Sequence, residues 1–346
     1  MKKLFGIILL VVVFVLSACG NSSEEGSGGE GSEDPLKIVA AHNQTDPENP
    51  YQKGLLAFKD SVEEKSDGNI EVEVHAGTIG TSETELVEKL QTGAADVVLV
   101  SPGFMTSSGI DQVDLFAFPY LFESYEHWEK TVQGEVGDEM AQIINEESNN
   151  DFRMLGYWTA GVRHYYGDEP LQKMSDLEGK KIRTQTSGVV ANFWEETGAV
   201  PSSVAWGELY QALQQDVVDA AENAYPYFVQ QDHHQTPNGK YITETGHDYT
   251  TRFLMISGDT YDNLTDEQKE IIDKASEASV EAEWEELHAQ EEEYKQQAID
   301  DGAEVNQIDR QPFIDLAKPI QDKVAEKIGV TDLLKKIREI GDSVEE

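Results

Sequence analysis

The stretch DEQKEIIDKASEASVEAEWEELHAQEEEYKQQAID follows Thr265, which forms a capping box with Gln268, and it predicts one helix running to about Asp300 before Gly302 stops it. A helix of that length is about 50 Å long, more than one small lobe can use. Its apolar residues do not hold an a/d heptad through the Glu-rich middle, which argues against a coiled coil. A single helix bridging two lobes is expected. The Glu-rich middle predicts a solvated face, and hence a monomer.

Upstream, strand and helix patterns alternate. LKIVAAH is a short apolar run, and Tyr51, Leu55, Phe58 and Val62 then mark one face of a helix. Ile70, Val72 and Val74 alternate with polar residues as in a half-buried strand. Ser82 and Glu85 form a second capping box, and DVVLVSPG is a continuous apolar strand of the kind found inside a parallel sheet. A helix near 124–149, a strand at DFRMLGYWTAG, a helix at VVANFWEETGA, a strand at VPSSVAW and a helix at GELYQALQQ continue the series. The pattern predicts an α/β architecture with parallel sheets.

The N-terminus reads as an address. Lys2 and Lys3 precede an apolar run from Leu4 to Leu16, and Leu16-Ser17-Ala18-Cys19 follows. Residues 1–18 are expected to be a signal peptide, too short for a permanent span at about 20 Å of helix. The chain's one cysteine sits at this junction, which looks like a lipobox in which Cys19 is acylated. Residues 19–35, rich in Gly, Ser and Glu, read as a flexible tether to a body of roughly 310 residues. The protein is thus expected outside the cytoplasm, lipid-anchored to the outer face of the cell membrane.

Formal net charge is −41, and loss of Lys2 and Lys3 with the leader takes it to −43. So acidic a surface excludes nucleic acid as a partner. Enzyme signatures are missing: there is no Gly-x-Ser-x-Gly elbow, no His-Glu-x-x-His helix, no phosphate-binding Gly-x-x-x-x-Gly-Lys loop and no dinucleotide Gly-x-Gly-x-x-Gly after the first strand. No two of the eight histidines have metal-helix spacing, and neither a catalytic residue, a metal site nor a cofactor is expected.

Two arginines stand out against the acidic background. Arg163 lies in GVRHYY and Arg183 in GKKIRTQ, each beside a strand pattern, while Trp206, Glu222, Asn223 and Tyr225 cluster further on. A guanidinium fork meets a carboxylate with two parallel hydrogen bonds. On local sequence alone each arginine is equally a structural partner for one of the many acids.

The segments NPYQKGLLAFKDSVEEKSDGNIEVEVHAGTIG, ELVEKLQTGAADVVLVSPG, FAFPYLF, LEGKKIRTQ and GELYQALQQDVVDAAEN, in this order over more than 200 residues, resemble the solute-binding proteins of tripartite ATP-independent periplasmic (TRAP) transporters, the DctP-type family. The resemblance implies a two-lobe periplasmic-binding-protein-like fold with a hinge, closing over an organic acid that is delivered to a TRAP permease. It implies no cofactor, although some relatives hold a metal that bridges protein and ligand. Lobe one would comprise residues 36–160 plus about 249–288, and lobe two 161–248 plus about 289–346. By the same resemblance Arg183 pairs with the ligand carboxylate, Arg163 is a second contact, and Asn223 and Trp206 line the site. His42, Glu83, Trp158 and Tyr225 are expected to complete the ligand-binding set. Ala220 stands where the family usually has Gly, a difference that matters if that position needs positive φ. The segments AENAYP, HH and TGHDY look more like members that bind sugar acids such as hexuronates than those for C4-dicarboxylates. The alternatives are a ligand-sensing co-receptor of the same fold and an extracytoplasmic enzyme.

Overall fold

Among the described residues nine strands join in one sheet: β1 (Leu36–His42), β2 (Ile70–Ala76), β3 (Val97–Val100), β4 (Phe152–Gly167), β5 (Lys181–Thr184), β6 (Val200–Ser203), β7 (Ala220–Asn223), β8 (Tyr241–Ser257) and β9 (Glu304–Gln307). The computed structural model describes residues 35–185 and 188–344. The signal peptide, Cys19 and the tether up to residue 34 lie outside the described residues.

The strand order is β2-β1-β3-β8-β4-β7-β5-β6, with β9 on β8. β1 is parallel to β2 and β3, and β5 is parallel to β6 and β7. β3, β4, β7 and β8 meet along antiparallel ladders. The sheet is therefore mixed, not parallel throughout as the strand-helix alternation predicts. β8 is the reason: its sequence YITETGHDYTTRFLMIS carries no single alternation, because the pairing slips past TGHD.

β4 and β8 are 16 and 17 residues long and pass through both lobes. The first part of β4, up to Thr159, pairs with the half of β8 that also meets β3, and the part from Val162 onward pairs with the half that meets β9. Between Thr159 and Val162 the register slips, and Gly161 takes φ 82° there, a conformation that favours glycine. β4 thus extends beyond the predicted DFRMLGYWTAG and carries Arg163. Ala220 lies within β7 and is not among the positive-φ residues, so the missing glycine costs no backbone strain there.

The helices cover both faces. Asn49 caps helix Pro50–Lys65 by accepting from the Tyr51 N–H, and the predicted face Tyr51, Leu55, Phe58 and Val62 is buried with Ile38, Ile70 and Val72 of β1 and β2. Gly54 lets this helix come close to β4, since a Cβ there would lie 2.5 Å from the Trp158 ring. The helix expected near 124–149 is two helices, Tyr125–Val132 and Glu135–Glu147. Gly137 permits the corner between them: a Cβ there would come within 2.0 Å of the Val132 carbonyl oxygen.

The long helix is Asp266–Asp300, with the Thr265–Gln268 capping box in place. It packs on both lobes and grips β4 on either side of the register slip. Trp284 Nε1 donates to Tyr157 O (3.2 Å), Glu283 Oε2 accepts from Thr159 N (3.2 Å), and Glu291 Oε1 accepts from Val162 N (2.8 Å). Its Glu-rich middle is thus solvated on one side only: Glu283, Leu287 and Gln290 form a buried stripe, with Glu283 0% exposed.

Glu283 Oε1 has no hydrogen-bond partner, and burial pushes the carboxyl well above the usual carboxylate range. The folded state holds a proton that the unfolded chain has released, so this group's contribution is complete below its unfolded pKa and is lost as pH rises toward the folded one. Glu283→Gln removes that loss. Its melting-temperature advantage over the parent protein is expected to be near zero at about pH 4.5 and clear at about pH 8, at about 2–4 °C for each kcal/mol recovered. Differential scanning calorimetry at the two pH values checks it, and an advantage independent of pH would contradict a neutral Glu283.

Candidate functional site

Parallel strands β1, β3, β5, β6 and β7 end toward one crevice, as strands do at ligand sites in α/β sheets. Asn43 and Gln44 follow β1, Phe104 follows β3, Thr184 and Gln185 end β5, Ser203 and Val204 end β6, and Asn223 ends β7. All of these line one cavity of about 230 Å³, together with Ser82, Glu83, Thr84, Ala205, Trp206, Tyr227 and Arg252.

Arg183 projects from β5 into this cavity. Among the described residues it donates from Nε to the Val204 carbonyl (3.0 Å) and pairs with no carboxylate. It is 3% exposed, and burial pushes its pKa down. A desolvated guanidinium whose fork no described residue engages is able to take up a planar anion. Trp206 flanks it, with the Arg183 Cζ 5.7 Å from the ring centre. Trp206 Nε1 donates to Gln44 Oε1 (3.2 Å), and Gln44 Nε2 donates to Asn43 Oδ1 (3.0 Å), so the wall is tied across the crevice. His233 packs edge-on against Trp206 at 5.3 Å. Burial, with the Arg183 charge, takes its pKa down to about 3 and keeps a second cation out of the wall.

Arg163 lies one layer behind. Its Nε donates to Glu222 Oε2, its Nη2 to the Glu222 carbonyl (2.6 Å) and its Nη1 to Asn223 Oδ1 (3.1 Å). His247 Nε2 lies 3.3 Å from the same Glu222 carboxylate. Burial alone would raise the Glu222 carboxyl, but the Arg163 charge and the bonds from His247 and Arg163 outweigh it and bring the pKa to about 2. The consequence reaches the cavity through Asn223. Its Oδ1 already accepts from Arg163 and from Ala224 N (2.9 Å), which turns the amide Nδ2, a donor, toward the crevice.

Of the residues expected from sequence, Arg183, Asn223, Trp206 and Glu83 line the cavity together, whereas Arg163, His42, Trp158 and Tyr225 do not. His42 is fully buried, bonded to Gln52 Oε1 (2.8 Å) and accepting from Gln44 N (3.1 Å), so it holds Gln44 in place. Burial takes its pKa down to about 4. Trp158 is fully buried under helix Pro50–Lys65. Tyr225 donates to Glu244 Oε1 (3.1 Å) and faces a separate depression beside His164 and Lys295. Sequence reasoning passed over Gln44, Tyr227 and Arg252. Arg252 lies on β8, whose pattern gave no strand signal, and no local motif marks it.

Residues 40–328 match the family described as Bacterial extracellular solute-binding protein, family 7. Among curated relatives, the C4-dicarboxylate-binding periplasmic protein DctP of Rhodobacter capsulatus is 28% identical over 301 residues, covering 86% of this chain and 88% of the relative. Among solved structures, a TRAP periplasmic solute-binding protein from Sulfitobacter sp. NAS-14.1 with bound β-D-galacturonate aligns with TM-score 0.82 and 27% identity, covering 88% of this chain and 99% of the other. Another, from Pseudomonas putida F1 with bound D-glucuronate, aligns with TM-score 0.82 and 28% identity over 88% and 97% of the two chains.

The two arginines should separate in stability measurements made without ligand. Arg163→Ala leaves Glu222, 1% exposed, without its cation, at an expected cost of about 3–5 kcal/mol. Arg183→Ala removes a buried cation that no carboxylate pairs with among the described residues and should leave the melting temperature unchanged or higher. Thermal denaturation of both variants checks the contrast, and equal losses would remove the distinction.

Proposed function

The chain belongs to bacterial extracellular solute-binding protein family 7, and from that premise we propose that it captures a sugar acid, a hexuronate in the first place, and delivers it to a TRAP-type permease. The observation that carries this reading is Arg183: a buried guanidinium whose fork no described residue engages, in a cavity whose other lining residues are mostly hydrogen-bonding groups with one indole wall. The carboxylate docks on Arg183 with Asn223 Nδ2 beside it, and hydroxyls meet Asn43, Gln44, Glu83 and Ser203. Exclusion of water makes the pair decisive, because charge attraction strengthens as the local dielectric falls. The galacturonate- and glucuronate-bound neighbours support a sugar acid. A C4-dicarboxylate is the second reading, favoured by the Rhodobacter relative and by a second cation, Arg252, in the same cavity.

In this reading the lobes rock about the register slip between Thr159 and Val162. Lobe one is residues 36–160 plus about 249–288, and lobe two is 161–248 plus about 289–346. We also carry forward the lipid anchor at Cys19, with the protein acting as a monomer at the outer face of the membrane. Support for the anchor is the lipobox-like sequence and its position before a Gly/Ser/Glu tether.

Two experiments test these points. Isothermal titration with D-glucuronate and D-galacturonate should give saturable binding that Arg183→Ala weakens by about 30-fold to several thousand-fold, the equivalent of about 2–5 kcal/mol. Arg183→Lys should not restore it, since an ammonium lacks the planar fork. Unchanged affinity in both variants would sink the assignment. Cys19→Ala, expressed from the native leader, should move the protein from the membrane fraction to the soluble fraction, and a variant that stays membrane-bound would refute the anchor.

A further inference from the structure

Arg183 holds one end of the ligand, and the opposite wall decides what the other end can carry. That wall is the first turn of helix Glu83–Thr92, from which Ser82, Glu83 and Thr84 line the cavity, with Arg252 beside it. The formal charges lining the whole cavity are those of Arg183, Arg252 and Glu83, which leaves one net positive charge.

Glu83 is held firmly. It is 6% exposed, and its Oε2 accepts from the Ser101 N–H (2.5 Å) and from the Ser101 hydroxyl, both at the end of β3. Among the described residues no hydrogen bond engages Oε1, and no lysine or arginine pairs with this carboxylate. Arg252 is differently committed: Nε donates to the Tyr51 hydroxyl (2.8 Å) and Nη1 to the Thr251 carbonyl (3.0 Å). The N-terminus of a helix attracts an anion through its unpaired N–H groups. Here the chain supplies that anion itself, at the first position of the helix.

We propose that Glu83 is the specificity-determining residue that restricts this cavity to ligands with a single carboxylate, with Oε1 accepting a hydrogen bond from a ligand hydroxyl. An ionised carboxylate is acceptor-only, so it welcomes a hydroxyl and repels a second ligand carboxylate. The repulsion acts among buried side chains, where screening is weak. The inference rests on the sugar-acid reading and turns it against the dicarboxylate one.

The test is a matched pair of open-chain acids that differ at one end only, D-galactonate and galactarate, titrated calorimetrically near neutral pH, with D-galacturonate as reference. The parent protein should favour the mono-acid by at least about tenfold. Glu83→Gln keeps an acceptor for Ser101 and places an amide donor at the wall, so it should shift the ratio toward galactarate by about tenfold or more. Glu83→Asp keeps the charge and should keep the discrimination. A parent protein that binds a sugar mono-acid but takes galactarate equally well overturns the inference and leaves the sugar-acid function standing, as does a ratio unmoved in Glu83→Gln. Absence of binding by galacturonate, galactonate and galactarate alike overturns the function, and the inference with it. If Glu83→Gln fails to fold, the parent ratio alone decides.

Discussion

The antiparallel ladder between β4 and β8 carries both lobes, and everything else hangs from it. Each strand gives one half to the β1 side of the sheet and the other to the β7 side. A regular ladder of this length would be a stiff plank. The slips around Thr159–Val162 and Arg163–Tyr165 break its regularity partway along. The long helix then spans the break, bonding the backbone N–H groups of Thr159 and Val162 through Glu283 and Glu291. Ladder hydrogen bonds lost to the bulge are thereby recovered from side chains, as buried backbone groups require.

Charge is allotted by layer. The surface takes the excess of acids, where water and salt screen them. One layer behind the cavity, Arg163, Glu222 and His247 form a compact group whose charges compensate one another, and its effect on the crevice is to orient the Asn223 amide. Arg183 in the cavity itself forms no ion pair among the described residues, and Glu222 and Glu83 offset its charge only from a distance. A desolvated cation is a stored cost that a bound carboxylate relieves, which is why the proposed ligand contact is placed on Arg183, unpaired among the described residues in a chain with 67 acids.

Several elements were legible because their causes are local. The Ser82–Glu85 and Thr265–Gln268 capping boxes are two-residue interactions three positions apart, and both form as read. The face Tyr51, Leu55, Phe58 and Val62 is a periodicity within one helix. β8 was not legible, because the TGHD slip removes the alternation by which a strand is recognised. With it went Arg252, which owes its place in the cavity to that strand. The break at Gln133–Gly134 was missed for a related reason: two helices of similar character meet at a corner that only backbone contact with Val132 reveals.

What the sequence determined by itself was the class of the molecule and its vocabulary: alternating strands and helices, a helix too long for one lobe, and a small set of cations and aromatics able to hold an anion. It also put Arg163 and Arg183 forward on equal terms, since each follows or lies within an apolar strand pattern. The family resemblance ranked Arg183 first, but only the tertiary structure supplied a physical reason, because the deciding neighbours are distant in the chain. Glu222, 59 residues away, pairs with Arg163, whereas among the described residues no carboxylate forms an ion pair with Arg183, and Glu222 and Glu83 act on it only from a distance. Which guanidinium is free to meet a ligand is a property of three-dimensional proximity, and local patterns carry no information about it.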